Sequence, residues 1–195
     1  MKIFNLYEIS EVKVTDPALQ SYINIDGKLV LKNHGRNTEK FGRAKINIIE
    51  RFVGLIGVPG HRGKKHRLMR STASGKYNKN MSTMLETLKI IQEKTKENPI
   101  QVLIKAVENA AACDEVTTIE YGGARYPQAV DISPSRRITL ALRNLVHGGS
   151  DKAFNKKVTI AEGLATELIA SFNRSNESFA YTKRIEAEKQ ADASR

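Results

Sequence analysis

Cysteine, tryptophan and long apolar runs are scarce or missing in this sequence of 195 residues. Cys113 is the single cysteine, so the chain can form neither an internal disulfide nor a cysteine-based zinc site. The longest apolar run, 52–60, has about nine residues, whereas a membrane-spanning helix needs about twenty. The N-terminus lacks the charged start and apolar core of an export signal. These absences favour a protein of the reducing cytoplasm, with no disulfide framework and no membrane partner.

Acidic residues are scarce in two parts of the chain, and this scarcity accounts for the net charge of +11. Residues 35–82 contain 12 Lys and Arg against two Asp and Glu, and residues 121–157 contain seven against two. The remaining segments are neutral or slightly acidic. Because such dense basic blocks repel themselves unless an anion neutralises them, this distribution predicts binding to a polyanion.

Apolar residues recur at helical spacing through most of the chain. They predict a mainly α fold, a helical bundle of about six helices with one protruding β-hairpin. Asn98-Pro99 and Ser133-Pro134 each place a capping side chain before a proline, and Thr159 with Glu162 forms a capping box. Gly148-Gly149 are predicted to end the helix that starts at Pro134. The predicted helices lie at 45–56, at 82–97, from 99 to at least 110, at 134–147, at 160–173 and near 177–192.

Two β-branched and aromatic runs, 116–121 and 124–132, flank Gly122-Gly123 and predict the hairpin, at about 115–132. A shorter strand pair is predicted at 22–31, around the turn dipeptide Asp26-Gly27.

The chain length favours one domain with a basic extension. We expect an N-terminal arm at 1–40 and a helical nucleic-acid-binding domain at 41–195. That domain contains the hairpin and a basic, Gly- and Ser-containing insertion at about 58–80.

Motifs for catalysis are incomplete. Residues 57–65 are similar to a phosphate-binding loop, but Val58 and Lys65 occupy positions that need glycine and a hydroxyl residue. His61 and His66 are five residues apart, so they would not share a helix face as metal ligands. The basic blocks also hold too few carboxylates for a metal-dependent nuclease. The sequence therefore predicts a protein that is not an enzyme and has no metal and no cofactor.

Basic and aromatic residues that suit RNA fall into three groups. Lysine and arginine neutralise phosphates, tyrosines beside an arginine at a hairpin tip suit stacking on bases, and paired arginines at a helix start favour anions. For each group a purely structural role, such as a solvated charge or a tyrosine that braces the hairpin, stays open. The hairpin candidates are Tyr121, Gly122, Gly123, Arg125 and Tyr126. The RNA-binding candidates are Arg36, Lys40, Arg43, Lys45, Arg62, Lys64, Lys65, Arg67, Arg70, Lys76, Lys79, Arg136, Arg137, Arg143, Lys152, Lys156 and Lys157.

Four stretches resemble a known family. They are INIIERFVGLI at 46–56, ENPIQVLIKAVENA at 97–110, GGARYPQAVDISPSRRITLALRN at 122–144 and TIAEGLATELIASF at 159–172. With them, residues 41–195 resemble the family of ribosomal protein seven of the small subunit, in its archaeal form.

The resemblance implies a helical bundle with an extended β-hairpin, in a structural component of the ribosome in the cytoplasm. Such a protein binds the 3′ major domain of small-subunit ribosomal RNA and organises the head of the subunit. Its hairpin, by position Tyr121 to Tyr126, would lie near transfer RNA and messenger RNA at the exit site. The expected neighbours are other head proteins and ribosomal protein eleven.

Two other classes stay open from the residues alone. A DNA-binding regulator would use 134–147 as a recognition helix, although it needs a paired helix in helix-turn-helix geometry. An RNA-modifying enzyme would need a catalytic motif, and the motifs considered above are incomplete.

Overall fold

Helices dominate the computed structural model, which describes residues 2–33, 37–58 and 75–195. The predicted mainly α fold with one protruding hairpin is confirmed. The described residues form seven α-helices, because a four-residue helix near the N-terminus adds to the six expected. The helices are α1 Pro17–Gln20, α2 Ile48–Ile56, α3 Tyr77–Thr95, α4 Pro99–Ala110, α5 Pro134–Ala153, α6 Ile160–Phe172 and α7 Phe179–Asp192, with a 3-10 helix at Gly42–Lys45. The strands are β1 Lys2–Ile3, β2 Tyr7–Glu8, β3 Asp114–Tyr121 and β4 Ala124–Asp131.

Local capping chemistry starts α4 and α6 where the sequence indicates. The predicted cap Ser133 precedes α5, which begins with Pro134, but its side chain makes no capping hydrogen bond. The Asn98 side chain accepts a hydrogen bond from the N–H of Ile100 at 3.1 Å, and Pro99 fills the first helical position of α4. At α6 the Thr159 hydroxyl accepts from the N–H of Glu162 at 3.2 Å, while the Glu162 carboxylate accepts from the N–H of Thr159 at 3.0 Å. The predicted capping box is therefore confirmed.

One predicted helix end is wrong. Helix α5 continues through Gly148-Gly149 to Ala153 instead of stopping there. A Cβ atom at Gly149 would lie 2.5 Å from Leu164 Cδ2 and 2.9 Å from Leu164 Cα, and one at Gly148 would lie 2.5 Å from Glu167 Cδ. The glycines therefore permit close packing of α5 on α6, a tertiary reason that outweighs their preference for helix ends.

Helix α3 begins at Tyr77 rather than at residue 82. The Tyr77 ring packs against the core, and its hydroxyl donates a hydrogen bond to the carbonyl of Leu31. Burial first, and the charge of Glu50 second, raise the pKa of Tyr77 to about 12. The extra turn of α3 thus anchors the N-terminal segment.

Helix α4 lies at the centre of the bundle, in contact with α3, α5, α6 and α7. The fully buried side chains of α4 include Ile100, Leu103, Ile104 and Val107. Buried residues therefore lie on more than one face of α4, although the spacing of its apolar residues predicts a single buried stripe.

The N-terminal segment packs into the same core through Ile3 and Leu19, both fully buried. The strand pair predicted at 22–31 is wrong: Asn24 forms a single parallel bridge with Asn47. The Asn24 side chain accepts a hydrogen bond from the N–H of Asp26 at 2.9 Å. This local turn competes with strand pairing.

The hairpin of β3 and β4 is confirmed. The strands are antiparallel, with Tyr121 opposite Ala124, and Gly122-Gly123 connect them. Gly122 has φ +58° and Gly123 has φ +83°, as a two-residue type I′ turn requires. Residues 118–128 are all exposed, so the outer half of the hairpin projects from the bundle.

Gly149→Ala should lower the free energy of unfolding by about 1–3 kcal/mol, because the new methyl group would overlap the backbone of Leu164. Gly54→Ala in α2 is the matched control, since its Cβ would meet no atom of the described residues within 4 Å. Removing that helical glycine should stabilise the protein by about 0.8–1 kcal/mol. Urea unfolding of both variants measures the difference, and an equal response of the two would contradict the packing argument.

Candidate nucleic-acid interface

Ion pairs hold the base of the hairpin on the bundle. Arg136, at the start of α5, donates two hydrogen bonds to the Glu115 carboxylate, at 2.7 and 2.8 Å. These bonds and the charge of Glu115 raise the pKa of Arg136. Arg195 pairs with Asp114 at 2.8 Å from the other end of the chain. The direction in which the hairpin projects is therefore set by both α5 and the C-terminus.

Arg137 lies inside the protein, with a side chain that is 10% exposed. Its Nη2 pairs with the Asp16 carboxylate at 2.9 Å, and its Nε donates to the carbonyl of Ala112 at 3.1 Å. The guanidinium thereby joins the N-terminal segment to the start of the hairpin. The RNA contact predicted for Arg137 stays a prediction, and the structure gives this side chain partners within the protein.

The hairpin tip carries an aromatic face. Tyr121 is 82% exposed and Tyr126 is 59% exposed, and the register places both on the same side of the hairpin as Ile119. The opposite side carries the exposed pair Glu120–Arg125, with Nε and Oε2 3.6 Å apart. At 82% exposure Tyr121 does not brace the hairpin, so its ring is available to stack on a base.

A basic stripe runs along α5. Arg136, Thr139 and Arg143 are spaced by three and four residues, so they share one face, called here the α5 face. Arg136 and Arg143 are both exposed, and among the described residues Arg143 forms no ion pair.

Three further candidates lie in the last turn of α5 and in the loop after it. Lys156 and Lys157 are exposed and form no ion pair with any residue that the structure describes. Lys152 pairs with the fully buried Glu167 at 2.8 Å. Glu167 also accepts hydrogen bonds from the Ser178 hydroxyl at 2.8 Å and the N–H of Ala180 at 3.0 Å. Lys152 is therefore part of the link between α5, α6 and α7.

The first basic block is described in part. Lys40 and Arg43 lie exposed around the 3-10 helix, and Lys45 pairs with Glu39. At the start of α3, Lys76 and Lys79 are exposed. The other candidates of this block lie outside the described residues: Arg36, Arg62, Lys64, Lys65, Arg67 and Arg70.

Arg51, which the sequence did not single out, lies half-buried on α2 and belongs to the first basic block. Its guanidinium donates to two neutral oxygens, the carbonyl of Tyr22 at 3.3 Å and the hydroxyl of Thr139 at 3.5 Å. Burial, and then the nearby charge of Arg43, lower the pKa of Arg51 to about 10, so the group stays charged at neutral pH. No sequence signal separates Arg51 from a solvated arginine, because its burial depends on residues from other elements.

Arg51 also joins the basic blocks in space. Its contact with Thr139 lies on the α5 face, while Arg43 lines the same cleft between α2 and α5. Arg51 and Arg43 of the block 35–82 therefore border the α5 face, which carries Arg136 and Arg143 of the block 121–157.

Neither a metal site nor a membrane-spanning helix is present among the described residues. Within 2–33, 37–58 and 75–195, no group of three or more His, Cys, Asp or Glu is placed to hold a metal ion. Over the same ranges, each helix is too short or too polar to cross a membrane.

The clustered arginines and the projecting aromatic hairpin define a basic helical protein of the nucleic-acid-binding class. Residues 28–195 match the family model described as ribosomal protein S7p/S5e, and the chain belongs to this family. The resemblance noted in the sequence is thereby confirmed.

Archaeal relatives match over nearly the whole length. The chain is 44% identical to small ribosomal subunit protein uS7 of Nanoarchaeum equitans over 196 residues, which cover 100% of this chain and 99% of the relative. It is 42% identical to uS7 of Archaeoglobus fulgidus, over 99% of this chain and 94% of the relative. It is 40% identical to uS7 of Methanococcus maripaludis, over 100% of this chain and 99% of the relative. These relatives are ribosomal proteins rather than enzymes, and the chain is a ribosomal protein of the small subunit.

The two adjacent arginines at the start of α5 should respond differently to truncation. Arg137→Ala should lower the free energy of unfolding by about 2–3 kcal/mol, because it leaves Asp16 and the Ala112 carbonyl without their partner. Arg136→Ala should cost less than about 1 kcal/mol, since its pair with Glu115 is more exposed. Thermal and urea unfolding measure both values, and a larger loss for Arg136→Ala would contradict these roles.

Proposed function

We propose that the chain binds the 3′ major domain of small-subunit ribosomal RNA and organises the head of the subunit. The observation that carries the proposal is the meeting of Arg43, Arg51 and the α5 face in one surface region. Cations of two separate basic blocks of the sequence thus lie on neighbouring surfaces of the fold, and a folded RNA offers phosphates over such an area. Because the members of this family are ribosomal proteins, the expected partners are ribosomal RNA and other ribosomal proteins.

The hairpin supports the finer part of the proposal, a contact with transfer RNA and messenger RNA at the exit site. Its base is held by ion pairs, whereas its tip exposes Tyr121 and Tyr126 away from the bundle. A rigid two-stranded projection with an aromatic face can reach a ligand that the bundle itself does not touch. Contacts with ribosomal protein eleven and other head proteins, and residence in the cytoplasm as part of the ribosome, belong to the same proposal.

The alternative of a DNA-binding regulator is disfavoured by the topology. A recognition helix at 134–147 needs a preceding helix paired with it in helix-turn-helix geometry. Helix α5 packs against α1, α2, α4, α6 and α7 and is preceded by the hairpin, so no helix-turn-helix pair is formed there.

The chain should bind a head-domain ribosomal RNA fragment far more tightly than duplex DNA of equal length at the same salt concentration. Arg143→Ala with Lys156→Ala and Lys157→Ala should weaken RNA binding and reduce the slope of log K against log salt by about 1 for each lost phosphate contact. The matched control removes Lys89, Lys94 and Lys96 on and after α3, which are exposed but lie in an acidic segment. Filter binding across a salt series measures both effects. Equal losses in the two triple variants would indicate non-specific attraction only.

Shortening the hairpin should separate assembly from exit-site function. Deleting the pairs Glu120–Arg125 and Tyr121–Ala124 removes the tip and leaves the base ion pairs intact. We expect the variant to co-sediment with small subunits as the wild type does, while transfer RNA at the exit site dissociates faster. Loss of co-sedimentation would mean that the tip is an assembly contact instead.

A further inference from the structure

A cleft of about 600 Å³ opens between the 3-10 helix, α2 and α5. Its lining includes two arginines, an exposed aromatic ring and a helical glycine: Arg43, Arg51, Phe41 and Gly54, with Thr139 across from them. Three of these residues, Arg51, Gly54 and Phe41, each have a property that packing within the described chain does not explain.

The first property is the unmatched charge of Arg51. Its hydrogen bonds to Tyr22 and Thr139 are long and go to neutral groups, and it forms no ion pair among the described residues. Two carboxylates line the cleft but are already engaged: Glu50 accepts from the N–H of Asn33 at 2.6 Å, and Glu39 pairs with Lys45. A half-buried cation without a carboxylate is costly unless an anion joins it. Arg43 adds a second positive charge at the same place and raises that cost.

The second property is the missing side chain at Gly54. Glycine is among the least favourable residues inside a helix. Among the described residues, no atom lies within 4 Å of the position that a Cβ atom would take, and the backbone there is ordinary helix. Packing within the described part of the chain therefore does not demand glycine here. What glycine does provide is an open floor for the cleft, on which a ligand can approach the backbone.

The third property is the presentation of Phe41. Its ring is 73% exposed, and its backbone has φ +61°, in the left-handed region that bulky residues avoid. The Lys40 ammonium lies 5.6 Å from the ring centre. An aromatic ring held at the rim of a basic cleft, in a strained backbone, suits stacking on a base.

We propose that this cleft binds one unpaired nucleotide of the ribosomal RNA, with its phosphate on Arg51 and Arg43 and its base stacked on Phe41. The inference rests on the proposed function, since it specifies one contact within that interface. A double-stranded segment would not fit the geometry, because its bases are paired and its rings are not free to reach Phe41.

Three variants test the cleft with the full chain and the head-domain RNA fragment. Gly54→Leu fills the floor without changing any charge, and should weaken RNA binding while the melting temperature stays equal or rises. Arg51→Met removes the half-buried cation that has no ion pair among the described residues. This variant should also weaken RNA binding while the melting temperature stays equal or rises. Phe41→Ala should weaken binding about tenfold to a hundredfold, as loss of one stacked base does.

A graded variant and a control separate these effects from general damage. Gly54→Ala adds one methyl group to the floor and should weaken RNA binding less than Gly54→Leu does. Arg184→Met removes another half-buried arginine, which lies on α7 and pairs with Glu188 at 3.0 Å. It should lower the melting temperature and leave RNA affinity nearly unchanged. If Gly54→Leu binds RNA like the wild type, or if Arg51→Met loses stability as Arg184→Met does, the cleft proposal is overturned.

A fluorescent variant identifies the ligand class. The chain has no tryptophan, so Phe41→Trp supplies a single reporter at the rim. Short single-stranded RNA should quench its fluorescence, and adding Arg51→Met should weaken that quenching. Quenching by duplex RNA to the same extent, or full competition by inorganic phosphate at equal concentration, would contradict a nucleotide site. If these cleft tests fail while the head-domain fragment is still preferred over DNA, the proposed function stands without this contact.

Discussion

The close contact of α5 with α6 is the constraint on which the rest of the molecule depends. Gly149 brings the backbone of α5 against Leu164, and a Cβ at Gly163 on α6 would lie 2.5 Å from the Gly149 carbonyl oxygen. Because the side chains are absent on both sides, the helices meet at backbone distance. One side of α5 is thereby fixed inward, and the stripe that carries Arg136 and Arg143 faces outward.

Buried carboxylates connect the other elements to this helix pair. Glu167 binds the cap residue Ser178 of α7, and Glu108 on α4 accepts the backbone N–H groups of Thr15 and Asp16 at 2.5 and 3.0 Å. Asp16 then pairs with Arg137 at the hairpin base. The N-terminal segment, the central helix and the hairpin are thus linked through a few desolvated charges, which are costly to break singly.

Local signals in the sequence predicted much of the fold. The capping box at Thr159, the proline starts of α4 and α5, and the turn at Gly122-Gly123 act through neighbours within a few residues, so they can be read without the tertiary structure. The end of α5 was predicted wrongly for the opposite reason. Gly148-Gly149 have the composition of a helix stop, and their role in contacting α6 depends on a helix that follows later in the chain.

The amino-acid sequence by itself determined most of the helices, the β3–β4 hairpin, the two basic blocks and the family, since each depends on composition, spacing or motif. Only the tertiary structure decided which cations remain available to a ligand. Arg136 and Arg137 are adjacent in sequence, yet one is exposed and the other is buried against Asp16, because the helix turns them to different sides. Arg51 likewise became a half-buried cation, without an ion pair among the described residues, because residues of other elements pack around it. Desolvation is a property of what packs around a side chain, and distant segments supply that packing.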